Sequence, residues 1–197
     1  MRPMPAARTA RETFAEALAE SRALSEKLAA LADVAERVAA AMIRCWNAGG
    51  KVLFAGNGGS ATDAMHFAEE LSVRYNRDRR ALAAMSLLEG AVLTCVGNDY
   101  GFERIFSRQV EALGRPGDVF VGFSTSGNSP NVLRAFEAAR KLGVTTVGFL
   151  GKGGGAAVPL CDIALIVPSS TTARIQETHM LTYHAICEAI DAWLLDG

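Results

Sequence analysis

The sequence predicts an α/β fold: a three-layer, doubly wound sheet of about five parallel strands preceded by an N-terminal helical extension. Three observations carry that prediction. From residue 51 onward, short β-rich apolar runs alternate with helical segments. Each run has the length of one strand, and each gap holds enough residues for the crossover helix that parallel strands require. The first 48 residues, by contrast, are rich in Ala, Leu, Glu and Arg at helical spacing and contain no strand-like run.

Between Thr9 and Asn47 no Gly or Pro interrupts the chain, and Phe14, Leu18, Leu24, Leu28, Leu31, Val34 and Val38 recur on a helical period. This reads as two helices, or one bent helix, ended by Gly49-Gly50. Lying ahead of the first strand, the segment must pack on the flank of the domain or on another subunit, and its long apolar stripe predicts oligomerisation. Strands are expected at 51–55, 81–87, 118–124, 145–150 and 163–167. Helices are expected at 60–74, 90–96, 102–113, 128–142 and about 171–195. With no internal repeat and no low-complexity linker, the chain is one domain, 1–197, with helices of 1–48 for oligomer packing and an α/β core at 49–197.

The 197 residues suit a single core that buries roughly 70% of the surface of the unfolded chain. Twenty Lys and Arg against twenty-one Asp and Glu give a net charge of −1, so no global field attracts nucleic acid or an anionic membrane. Any anion must be bound locally. Cys45, Cys95, Cys161 and Cys187 show no CxxC pair or disulfide ladder, and reduced thiols in a cytoplasmic protein are expected. The N-terminus lacks the apolar region of a secretion signal, and no stretch approaches the roughly 20 apolar residues of a membrane span.

Ligands of doubly wound sheets sit beyond the carboxyl ends of the strands, so the residues just after strands matter most. After the first strand comes Ala55-Gly56-Asn57-Gly58-Gly59-Ser60-Ala61, a glycine-rich turn into a helix. Glycine permits close backbone approach, and the opening helix offers free N–H groups and a positive dipole end, the makings of an anion cradle. The turn is neither a Walker loop nor GxGxxG, and alone it equally fits a tight strand-to-helix connection. The third strand supplies a second instance, Ser124-Thr125-Ser126-Gly127-Asn128-Ser129-Pro130. Capping needs one hydroxyl; Ser124, Thr125, Ser126 and Ser129 together can surround a phosphate, with Asn57 and Ser60 opposite. In the helix after the first loop, His66 and Glu70 are one turn apart. That pair suits a zinc-type ion or an acid/base couple, though a solvated His–Glu pair has the same spacing.

GNGGSA, STSGNSPNV and RIQETH together closely resemble the SIS (sugar isomerase, flavodoxin-like) fold and, within it, the phosphoheptose isomerases. Those enzymes interconvert sedoheptulose 7-phosphate and D-glycero-D-manno-heptose 7-phosphate, the first step toward ADP-heptose precursors and lipopolysaccharide. The similarity runs from the N-terminal helices through residue 195. It implies a zinc-dependent enediol mechanism with His66, Glu70, Gln176 and His184 as metal ligands, and Glu70 and His184 as base and acid. It further implies phosphate or sugar contacts from Asn57, Gly58, Gly59, Ser60, Ser124, Thr125, Ser126, Ser129 and Gln176. Arg74 and Asp99 also fit this set, and His179 is expected to be structural or to support the ligand residues from behind. Eight residues of straight helix separate Gln176 from His184 by about 12 Å of rise. The simplest way for both to serve one ion is a site shared between subunits, in keeping with the family's homotetrameric habit. The Gly-rich stretch 151–155 lacks hydroxyls and reads as a flexible loop.

Two departures from the family stand out. Leu88-Glu89-Gly90-Ala91 replaces an Asp followed by hydroxyl residues, and Thr171-Thr172-Ala173 lacks a common Asp before RIQE. A non-catalytic partner-binding SIS protein of the replication-initiator-associating type also shares the RIQE-like ending, but it would not be expected to keep both Glu70 and His184. An isomerase of another ketose phosphate would carry the same motifs.

Overall fold

The computed structural model describes residues 8–196; residues 1–7 of the expected helical extension, and Gly197, lie outside the described residues. Helix α1 (Ala10–Ser25) opens with a reciprocal cap, in which the Thr9 hydroxyl accepts the Glu12 N–H and the Glu12 carboxylate accepts the Thr9 N–H. A 3₁₀ turn (Leu28–Leu31) separates it from α2 (Ala32–Asn47), so the expected extension is two helices. The chain leaves α2 through Gly49, whose φ of +76° suits glycine.

Then come β1 (Val52–Gly56), α3 (Gly59–Ser72), β2 (Ala84–Ser86), α4 (Gly90–Tyr100), α5 (Ser107–Leu113), β3 (Val119–Ser124), α6 (Pro130–Lys141), β4 (Thr145–Leu150), β5 (Ile163–Ile166) and α7 (Thr172–Asp196). All strands are parallel, in the order β2-β1-β3-β4-β5, with Val52 beside Val119 and Val121 beside Val147. Alternate residues of the strands feed two cores. Phe54, Val121, Phe123 and Phe149 point to the layer of α2, α3 and α7, while Leu53, Phe120 and Leu150 point to α4, α5 and α6. The inner face of α2, including Val38, Met42 and Trp46, fills the first of these cores.

Three sequence expectations are corrected. The second strand spans only Ala84–Ser86, because Leu82 leaves the sheet direction and bonds its N–H to the Leu71 carbonyl of α3. The helix expected at 102–113 is a 3₁₀ turn (Phe102–Arg104) followed by α5, and Gly101 at φ +88° sets the break from α4. The glycine stretch read as flexible is packed: it leads into a 3₁₀ turn (Gly155–Leu160), and Ala157 donates its N–H to the Gly127 carbonyl. The four cysteines are free, two buried, one half-buried and one exposed. No helix among the described residues is long and apolar enough to cross a membrane.

Helices α3 and α7 lie side by side and carry the chemistry-bearing residues. Their far ends are fastened by Arg79, which pairs with Asp191 of α7 at 2.9 Å and donates to the carbonyls of Leu71 and Glu70. At the near end, Arg174 of α7 donates to the Ala17 carbonyl of α1 and lies 3.7 Å from Glu20.

Candidate active site

Two loops occupy the carboxyl edge of the sheet. In the first, a Cβ at Gly56 would stand 2.4 Å from the Ser60 carbonyl, and Gly58 adopts φ +56°, ψ −124°, so the turn is closed to larger residues. No side chain caps α3, and the Ser60, Ala61 and Thr62 amides bond to the carbonyls of Asn57 and Gly58, which leaves the amides of Gly58 and Gly59 as the anion donors of this turn. In the second loop, Gly127 sits at φ +63°, and a Cβ there would lie 1.9 Å from the Gly154 carbonyl. Ser124 and Ser126 accept the N–H groups of Gly127 and Asn128, which fixes the oxygens and frees their O–H groups to donate. Ser124 and Ser129 share a 3.1 Å hydrogen bond.

The loops are tied together by a pair that the sequence reading missed. Asn57 and Asn131 exchange two amide hydrogen bonds, each 2.8 Å, and Asn131 also accepts the Val132 N–H. The Asn57 side chain, expected to face substrate, is therefore engaged within the protein. A cavity of about 390 Å³ opens beside this pair, lined by Asn57, Phe102, Glu103, Ser129, Pro130 and Asn131.

Further along the helices, His66, Glu70 and His184 converge, with one ligand atom from each lying within 4.8 Å of the others. His66 Nε2 is 3.0 Å from Glu70 Oε1, and the His66 and His184 rings stand edge to face at 5.1 Å. Burial, reinforced by His66, holds the His184 pKa below the ordinary histidine value against the pull of Glu70 and Glu188. His184 is therefore neutral near pH 7. Two imidazoles and a carboxylate so placed are the donor set of a zinc site with an open position. Gln176 takes another place: its amide packs against Gly59, where a Cβ would meet Nε2 at 2.4 Å. Since Gln176 meets Gly59 and His184 meets His66, α3 and α7 run in the same direction. The ligand group lies seven residues, about 10 Å of rise, below the first loop.

Arg74 is exposed just beyond α3. Asp99 is exposed in the last turn of α4, accepting from Asn98 and Cys95. His179 is fully buried, with Nε2 3.1 Å from the Leu150 carbonyl and its ring between Phe123 and Phe149. Burial lowers its pKa to about 4, so it is a neutral structural residue. Of the two sequence departures, Glu89 caps α4 by accepting the N–H groups of Ala91 and Val92, and near the other the first turns of α7 are tied to α1 by Arg174.

Sequence reasoning also missed Tyr183, whose hydroxyl is 2.9 Å from His66 Nδ1, and Asp63, a buried carboxylate with an unpartnered Oδ2. Burial, against the opposing charge of His66, raises Asp63 to about 6. A polar residue beside His184, and an acid one turn before His66, were the available signals.

Fold and site together define a phosphosugar isomerase domain of the SIS type, and the SIS domain family matches residues 16–151. The phosphoheptose isomerase of Campylobacter jejuni is 56% identical over 151 residues, 76% of this chain and 81% of that protein. That of Paramagnetospirillum magneticum is 53% identical over 165 residues, covering 83% and 86%. The phosphoheptose isomerase structure from Neisseria gonorrhoeae matches with a TM-score of 0.88 at 43% identity, covering 93% of this chain and 100% of that one. The Francisella tularensis enzyme gives 0.90 at 38%, covering 93% and 99%. The chain belongs to the phosphoheptose isomerase family of SIS domains, and it is an aldose–ketose isomerase.

Proposed function

We propose that the chain interconverts sedoheptulose 7-phosphate and D-glycero-D-manno-heptose 7-phosphate in the cytoplasm, as the first step toward an ADP-heptose precursor. The observation that carries this reading is the convergence of His66, Glu70 and His184 within 4.8 Å on helices whose upper ends meet at a glycine-rich anion loop. Glu70 moves the carbon-bound proton between C1 and C2, producing an enediol(ate). His184, neutral near pH 7, moves the proton between the two oxygens and opens the sugar ring. His66, Glu70 and His184 would hold zinc, with Gln176 supplied by a neighbouring chain. Such an ion polarises the substrate carbonyl and stabilises developing negative charge.

The phosphate is held by the amides of Gly58 and Gly59, by Ser60, and by the hydroxyls of Ser124, Thr125, Ser126 and Ser129, with Asn57 contributing its main chain. Arg74 and Asp99 meet sugar hydroxyls. Contacts at the phosphate end, where no bonds change, supply binding energy that orients the reacting carbons.

The axial offset of Gln176 from His184 supports a site completed by a second chain. So do the apolar side chains on the outer faces of α1, α3 and α7, with Phe14 72%, Met65 51% and Leu181 58% exposed. The assembly we propose is a homotetramer with active sites at subunit interfaces.

Purified protein should turn over sedoheptulose 7-phosphate well above other ketose phosphates, with zinc stoichiometric with the chain in the same sample. No turnover of any heptose phosphate would overturn the substrate, and full activity in metal-free protein would overturn the metal.

A further inference from the structure

The His66 ring can offer either nitrogen to a metal, and its neighbours must decide which. Nδ1 is claimed by Tyr183, whose hydroxyl lies 2.9 Å away, while Nε2 faces Glu70 at 3.0 Å. The phenol is not free to wander. Tyr183 is fully buried, stacked on Phe67 with centroids 5.1 Å apart and planes at 17°, and it meets Phe123 edge-on. Its ring position is therefore set by the core, from a helix other than the one that carries His66.

We propose that Tyr183 is the positioning residue of the metal site, orienting His66 through Nδ1 and so reserving Nε2 as the ligand atom. The inference rests on the reading of His66, Glu70 and His184 as metal ligands.

A hydroxyl suits this place better than a carbonyl or an amide, because it both donates and accepts. Without metal, the Tyr183 O–H donates to Nδ1, and the proton on Nε2 is donated to the Glu70 carboxylate. For Nε2 to bind a metal it must give up that proton. The neutral ring then carries its single proton on Nδ1 and donates it to the Tyr183 oxygen. The phenol hydrogen then turns away from the ring. The phenol thus holds the same ring orientation in both tautomers, as the outer partners of ligating histidines do. Phenylalanine in its place would keep the packing and lose only that hold.

The test is zinc affinity by competition with a chromogenic chelator, in the full-length protein and in Tyr183→Phe, with folding checked by circular dichroism. Loss of the partner should weaken zinc about ten- to a hundredfold. An unchanged affinity in a folded Tyr183→Phe would overturn the inference while leaving the metal reading standing. Failure of the parent protein to bind zinc would overturn both. A second measurement needs no variant: the ¹⁵N shifts of the His66 ring should place the proton on Nε2 in metal-free protein and on Nδ1 after zinc is added. A ring with its proton on Nδ1 before zinc, or one whose proton does not move on binding, would contradict the assignment.

Discussion

Asp191→Ala tests how firmly the two functional helices are fastened together. The Arg79–Asp191 pair has side chains only 1% and 5% exposed, and it carries several hydrogen bonds. Arg79 donates to Asp191 Oδ1 and to the Leu71 and Glu70 carbonyls, while Asp191 Oδ2 accepts the N–H groups of Asn76 and Arg77. Burial alone would raise the Asp191 carboxyl, yet these donors hold it below the ordinary carboxylate range. Removing the carboxylate leaves a guanidinium and two amides uncompensated in the interior. Breaking a buried pair in this way costs about 3–5 kcal/mol, which for a domain of this size is a fall in Tm of about 6 to 20 °C. The damage should not stop at stability, because Arg79 also holds the backbone of Glu70. A double variant, Arg79→Met with Asp191→Leu, removes both charges and should recover part of the loss. Urea unfolding of the three proteins, followed by fluorescence with the slope of the transition checked for constancy, measures the effect. A loss below about 1 kcal/mol for Asp191→Ala would refute the view that this pair is a buried, mutually dependent lock.

Glu70→Gln should lower kcat by at least about a hundredfold, the contribution of a positioned base, while leaving phosphosugar binding by calorimetry nearly intact. If a neighbouring chain supplies Gln176, mixing that variant with a second inactive one altered at Gln176 should restore part of the activity, whereas a site built by one chain gives none. Gly127→Ala should raise KM steeply with zinc content unchanged, since the left-handed backbone costs about 1–2 kcal/mol and the new Cβ collides with the Gly154 carbonyl; an unaltered KM would remove that loop from substrate binding. For metal-free protein, His179 sets an acid limit. Its folded pKa of about 4 lies below the unfolded value of about 6.5, so the unfolded chain gains a proton first and stability falls by about 3 kcal/mol as pH drops between those values. Asp63, raised to about 6, acts in the opposite sense over nearly the same range. Asp63→Asn should therefore steepen the loss on acidification, and an identical pH profile for the two proteins would be the contrary result.

What could be read in the sequence, and what could not, follows from the range of the forces involved. Strands buried on both faces must be apolar along their length, so β1, β3 and β4 were legible, and β4 matches its expected bounds. The edge strand β2 pairs only with β1, and its lower end is drawn off by a contact between Leu82 and α3 that no local pattern announces. The same holds at the site. Residues that meet a ligand depend on local geometry, a turn that requires glycine or two side chains one helical turn apart, and those spacings are written consecutively in the chain. Residues that hold them in place do not. Asn131 reaches Asn57 across 74 positions, Tyr183 reaches His66 across 117, and the glycines at 153–155 serve a loop that begins at Ser124. Each of these is an ordinary residue type in an ordinary helix or turn until the sheet order brings its partner alongside. The chemistry of this domain is therefore carried by short motifs, while its alignment is carried by long-range pairs. A variant screen confined to the motifs would reach Asn131, which lies in one of them, but would miss Tyr183 and the glycines at 153–155.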